Sequence, residues 1–203
     1  MNDVLVPGGR DVRGTLETPD AGDPDAIVVA CPPHPQHGGS RSDRRLVAVG
    51  DAIREAGVAC LRFDYGAWDE GYGEREDVRN AVRWADDRYD SVGLFGYSFG
   101  ATLALLAAAT VDREVEAVSA LAPTARLADD LDARAALEAL ECPVQICYGE
   151  RDSTVDWEPV VERARARSDA VTALPADHFF VGQNGPIADA VGDFFERALL
   201  ESA

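Results

Sequence analysis

A chain of 203 residues, 46% hydrophobic and 28% charged, has the composition of a soluble globular protein, long enough for one sizeable core and short for two. Its 37 acidic residues stand against 19 basic ones, a formal net charge of −18, and such a field repels phosphate backbones and anionic lipid, which sets nucleic acid and membrane surfaces aside as partners. Every basic residue is arginine, the acids are dispersed rather than run together, and Asp outnumbers Glu, a pattern that resembles the proteins of salt-accumulating halophiles.

Met1-Asn2-Asp3-Val4 offers no basic region followed by an apolar one, so no signal peptide and a cytoplasmic location are expected. Residues 4–6 and 12–18 flank Pro7-Gly8-Gly9-Arg10 and predict a hairpin. Residues 26–31 form a compact apolar strand. Leu46, Val49, Ile53 and Ala56 then recur at helical spacing, and Gly57 ends that helix. A strand over 58–63, a Gly- and aromatic-rich loop through Gly73 and a helix over 74–89 follow. Next come a strand over 91–97, a small-residue helix over 101–110, a strand over 115–121 and a helix over 127–140. A strand over 144–148, a helix over 157–166, a strand over 170–174 and a helix over 187–200 complete the chain.

The longest apolar run, residues 101–111, is too short to span a bilayer. Cys31, Cys60, Cys142 and Cys147 fall at no zinc-like spacing, and buried free thiols are expected. An antiparallel start followed by repeated βα units predicts one α/β domain over 1–203, with a mostly parallel sheet, helices on both faces and no cap domain. Ligands of such sheets bind beyond the carboxyl ends of the strands.

Gly96-Tyr97-Ser98-Phe99-Gly100 fits G-x-S-x-G between an apolar strand and a helix. A serine on that turn is held in a strained conformation with its hydroxyl exposed at the tip of the sheet. It needs a base, usually histidine oriented by a carboxylate. His34 and His37 precede the serine, whereas His178 follows the last strand, and the order serine, acid, histidine expected with a strand-borne elbow selects His178. For the acid, Asp152 leaves the strand over 144–148 through a glycine turn at the same sheet edge. Glu150, Asp156 and Asp177 are its rivals, with Asp156 reading as a helix N-cap.

Cys31-Pro32-Pro33-His34-Pro35-Gln36-His37-Gly38-Gly39 follows the third strand. Proline has no N–H, so the backbone N–H groups of His34 and Phe99 are the expected oxyanion donors. His34-x-x-His37 lacks further ligands at metal spacing, and neither a metal nor a cofactor is expected. Tyr65, Trp68, Tyr72 and Phe179 are the expected walls of an apolar acyl pocket, with Asp69 and Glu70 disfavouring anionic substrates.

Together, Pro33-His34-Pro35 with Gly38-Gly39, Leu61-Arg62-Phe63, Gly73-Glu74-Arg75-Glu76-Asp77, the Gly96–Gly100 elbow and Ala176-Asp177-His178-Phe179-Phe180 resemble the α/β-hydrolases, closest to small capless hydrolases of the dienelactone-hydrolase-like kind. The resemblance implies Ser98 as nucleophile, Asp152 as acid and His178 as base. Pro32 stands where that group has a first histidine, and dienelactone hydrolases proper use cysteine as nucleophile, which sets dienelactone aside as substrate. The expectation is a serine hydrolase of short, uncharged carboxylic esters, with thioesterase or small-peptide hydrolase activity as alternatives and a non-catalytic binding protein as a further one.

Overall fold

The computed structural model describes residues 2–20 and 22–201. Eight strands form one sheet: β1 (Asn2–Val6), β2 (Val12–Glu17), β3 (Ala26–Cys31), β4 (Ala59–Asp64), β5 (Ser91–Tyr97), β6 (Ala117–Leu121), and, after a short ribbon of β7 (Arg126–Ala128) and β8 (Leu131–Asp132), β9 (Val144–Gly149) and β10 (Ala170–Leu174). Their order is β1-β2-β4-β3-β5-β6-β9-β10. The β1–β2 and β2–β4 pairs are antiparallel and the others parallel. This is the mostly parallel sheet with an antiparallel N-terminal hairpin that the sequence predicts.

The two-residue period of the strands divides the core. Ile27, Val29, Leu61 and Leu94 face one side, against α2 (Tyr72–Asp86), α3 (Phe99–Ala108), α4 (Ala133–Ala139) and α5 (Glu158–Arg167). Val28, Ala30, Cys60 and Phe95 face the other, where Leu46, Val49 and Ile53 of α1 (Arg44–Glu55) and Ile187, Val191 and Phe195 of α6 (Asn184–Leu200) cover them. Among the described residues no helix is long and apolar enough to cross a membrane.

Two local expectations are corrected. The helix predicted over 127–140 exists only as α4. Its first half is the β7–β8 ribbon, because Asp129, Asp130 and Asp132 favour turns and caps over helix interiors; the Asp132 carboxylate caps α4 by accepting the N–H groups of Arg134 and Ala135. Asp156 does not cap α5, whose N-cap position is Trp157 with no side-chain cap. Capping by Asp156 would put Pro159 at the third helical position, where its missing N–H removes a donor that an N-cap serves.

The segment from Tyr65 to Gly71 is folded back onto the sheet by two buried carboxylates. Glu74 accepts the N–H groups of Asp69 and Gly71, both at 2.8 Å. Asp77 accepts the Gly66 N–H at 2.9 Å and the Arg10 Nε–H at 2.7 Å. Burial raises the Asp77 carboxyl, and the contacts from Arg10 and Gly66 oppose that. The Gly-Glu-Arg-Glu-Asp motif is therefore a loop anchor.

Candidate active site

Ser98 joins β5 to α3 with φ 56° and ψ −117°, a left-handed conformation that L side chains rarely adopt; holding a residue there costs about 1–3 kcal/mol. The surrounding glycines explain how the turn closes. A Cβ at Gly96 would lie 2.2 Å from the Gly100 carbonyl oxygen, and one at Gly100 would lie 2.3 Å from the Cys31 oxygen. The elbow is fixed from below by the Ser98 N–H donating to the Leu121 carbonyl at 2.8 Å. Although Ser98 occupies the N-cap of α3, its hydroxyl does not cap the helix.

That hydroxyl faces His178 instead, with Oγ 2.9 Å from Nε2. On the other side of the ring, Nδ1 lies 2.7 Å from Asp152 Oδ2. The Asp152 side chain is fully buried, its Oδ1 accepts the Thr154 N–H at 2.9 Å, and its carbonyl accepts Trp157 Nε1–H at 2.9 Å. An ionised carboxylate at Nδ1 requires the ring proton there, leaving the Nε2 lone pair toward the hydroxyl. The three residues sit at the carboxyl ends of β5, β9 and β10. The rivals for the acid lie elsewhere: Glu150 is exposed, the Asp177 carboxylate accepts the Phe179 N–H, and Asp156 lends its carbonyl to Ala125.

The loop after β3 is a rigid turn. Pro35–His37 forms one 3₁₀ turn ended by Gly38 at φ 82°, and the His34 carbonyl accepts the N–H groups of His37 and Gly39. Gly39 is required, since a Cβ there would lie 2.2 Å from the Pro33 oxygen. The close approach of Gly100 to Cys31 and Pro32 seats the start of α3 against this loop. Phe99 is the first residue of α3, so its N–H has no intrahelical acceptor. The His34 imidazole stacks with His37 at 4.4 Å and lies 4.6 Å from Trp68 and 4.9 Å from Phe99 between ring centroids. Burial and the neighbouring His37 lower the basicity of His34, against a smaller opposing pull from Glu74.

A cleft of about 500 Å³ opens over Ser98 and His178. Of the four expected pocket residues, Phe179 alone lines it. Tyr65 is buried behind Phe99 and donates its hydroxyl to the Pro32 carbonyl at 3.0 Å, and burial pushes that hydroxyl well above its ordinary value. Trp68 backs the rings of His34 and Phe99. Tyr72 points away, its hydroxyl on Asp130 at 2.6 Å. The anchoring of the 65–71 loop by Glu74 and Asp77 accounts for Tyr65 and Trp68, whereas Tyr72 opens α2 and is turned to Asp130. The walls that sequence reasoning missed are Thr124 and Leu127 after β6, Thr154 and Val155 after β9, and the pair Asp43–Arg45. The first four follow strand carboxyl ends, where the fold rule pointed; nothing in the sequence marked the pair.

The sequence model of the X-Pro dipeptidyl-peptidase (S15) family matches residues 62–176, which include Ser98 and Asp152. A search of curated proteins finds no match. Similar solved structures include an α/β serine hydrolase homologue from Coxiella burnetii, 25% identical over 95% of this chain and 96% of that one, with a TM-score of 0.81. An α/β serine hydrolase without lid from Xanthomonas campestris is 23% identical over 97% and 94%, with a TM-score of 0.79. An esterase from Pyrococcus furiosus is 19% identical over 98% and 91%, also with a TM-score of 0.79.

Proposed function

The chain belongs to the X-Pro dipeptidyl-peptidase (S15) family of α/β hydrolases, and from that premise we propose that it hydrolyses short, uncharged carboxylic esters through an acyl-enzyme on Ser98. The observation that carries the reading is the unbroken relay of contacts from Ser98 Oγ to His178 to Asp152. His178 Nε2 takes the hydroxyl proton as Oγ attacks the ester carbonyl, and Asp152 stabilises the imidazolium that forms. The negative charge on the carbonyl oxygen is received by the N–H groups of Phe99 and His34, fixed in place before the reaction begins. The imidazolium then protonates the departing alcohol, and water repeats the sequence to release the acid.

The cleft's charge favours an ester over a peptide. Cleavage of a dipeptide from a free amino terminus needs a group to hold an ammonium, and a bare carboxylate is the natural one. Among the described residues Asp43 is the sole carboxylate side chain lining the cleft, and Arg45 already neutralises it. Small-peptide hydrolysis remains the second reading, favoured by the family match.

Short p-nitrophenyl esters should give a burst of p-nitrophenol followed by steady turnover. Ser98→Ala should abolish both, and an organophosphonate should label Ser98 stoichiometrically. No turnover across short acyl esters together with no labelling overturns the proposal. Faster turnover of an X-Pro anilide than of any ester moves the assignment to the second reading.

A further inference from the structure

The histidine loop is held in two halves. Its first half is tied to β9 and the residues after it: the Glu150 N–H donates to the Leu174 carbonyl at 2.9 Å, the Arg151 N–H to Ala176 at 3.0 Å, and the Arg151 guanidinium to Pro175 at 2.8 Å. The second half carries the imidazole and lies beyond that ladder. There the carbonyls of His178 and Phe179 go to side chains from other elements. The Tyr97 hydroxyl donates to the His178 carbonyl at 2.8 Å, and Arg45 Nη1 donates to the Phe179 carbonyl at 2.7 Å.

Those two donors are themselves joined. The Arg45 guanidinium carbon lies over the Tyr97 ring, 4.3 Å from its centroid. Its remaining edge is gripped by the Asp43 carboxylate through Nε and Nη2. Asp43 is the N-cap of α1 and also accepts the Arg45 N–H, so the carboxylate has a fixed position from which to aim the guanidinium. Tyr97 immediately precedes the nucleophile, and its ring lies edge-on to the buried Phe180. These side chains thus fasten two successive carbonyls, that of the base and that of the residue after it, to the residue beside Ser98.

We propose that Arg45 and Tyr97, with Asp43 orienting Arg45, are positioning residues that set the distance between His178 and Ser98. The proposal rests on the reading of His178 as the base for Ser98. Lysine can substitute only in part, because reaching the Asp43 carboxylate through two nitrogens and the Phe179 carbonyl through a third requires a guanidinium. Loss of either donor frees one carbonyl of the half-loop that no strand holds, and the imidazole then samples positions away from Oγ. A misplacement near 1 Å in a reacting pair costs about 100-fold in rate.

The test compares Arg45→Met, Tyr97→Phe and the double variant, with active sites counted by organophosphonate labelling and folding followed by thermal melting. Each single variant should lose about tenfold or more in kcat per active site, with KM within about twofold. The double variant should lose little more than the worse single one, because both act through one loop. Arg45→Lys should recover only a part of the loss. A purely structural role would lower the melting temperature and the count of active sites while leaving kcat per site unchanged, and that result overturns the proposal. So do wild-type kcat in both single variants, or losses that multiply in the double variant. Failure of the parent reading has a different signature, since the wild-type protein itself would then neither turn over esters nor take the label.

Discussion

A methyl group added at Gly100 has no space to occupy. Its carbon would lie 2.3 Å from the Cys31 carbonyl oxygen and 2.4 Å from that of Pro32. Both are backbone atoms, and Pro32 is further pinned by the Tyr65 hydroxyl. An ordinary contact is near 3.5 Å, so the start of α3 and the loop after β3 must part by roughly 1 Å. Overpacking of that kind costs about 1–3 kcal/mol of stability, or roughly 2–10 °C in melting temperature for a chain of this size. The kinetic effect should be larger. Phe99 N–H stands on one side of the enforced gap and His34 N–H on the other, and loss of one oxyanion donor costs about 100- to 1,000-fold in kcat. KM should change little, because those donors act on charge that develops only in the transition state.

The assay is kcat on a short p-nitrophenyl ester, normalised to organophosphonate-labelled sites, with a parallel melt. Gly185→Ala is the matched control: Gly185 lies in the first turn of α6 with nothing within 4 Å of an added Cβ. Pro186 follows directly and disfavours a helical conformation in a preceding residue that bears a Cβ, so that variant should lose a little stability but keep wild-type kinetics. A Gly100→Ala enzyme with kcat within about threefold of wild type would refute the placement of the two donors.

Three further outcomes follow from burial and charge. Burial pushes the Cys60 and Cys147 thiols up to about 12 and Cys142 to about 11 from an ordinary 9.0, and raises Cys31 as well; in native protein at pH 8 an aromatic disulfide reagent should reach Cys142 slowly and the other three only after denaturation, and fast reaction of all four would sink the reasoning. Because these acids titrate higher when folded, the stability they contribute is complete below pH 9 and declines as pH rises beyond it, which a melting series across that range will record. With a net charge of −18, the melting temperature should rise from low salt toward molar KCl, where the screening length falls to about 3 Å. A flat or falling curve counts against an acid-excess surface as the limiting factor.

The parts of the molecule legible in its sequence are those governed by short-range rules. Strands such as Ala26–Cys31 and Ala170–Leu174 stand out as apolar runs between turn residues, and the elbow declares itself because two glycines are sterically compulsory around Ser98. Ser98, Asp152 and His178 could be chosen from one-dimensional order because the parallel sheet delivers all their loops to one edge. What failed depended on side chains reaching across the sequence. Tyr65, Trp68 and Tyr72 read as pocket walls from their position after β4, yet Glu74 and Asp77 pull the loop with the first two away, and Tyr72 turns to Asp130. Arg45 was indistinguishable from its neighbour Arg44 until the fold brought it to a carbonyl 134 positions away.

The acid excess and the cleft's neutrality are linked through the arginines. An active site opening into so negative a surface would, without correction, select cations. Here the covered carboxylates around the cleft are occupied: Asp43 by Arg45, Asp152 by His178 and the Thr154 N–H, and Glu74 and Asp77 by the loop they anchor. Pairing at contact distance survives salt better than repulsion across the whole surface, because screening acts chiefly on separations beyond the Debye length. Raising the ionic strength therefore relieves the surface while leaving the half-buried Arg45–Asp43 pair largely intact. The same guanidinium that keeps the cleft neutral also holds the carbonyl next to the base. On the proposed reading, selectivity for uncharged esters and placement of His178 share one residue, and Arg45→Met should weaken both together: its turnover should fall, and its preference should shift toward substrates bearing an ammonium that the freed Asp43 can hold.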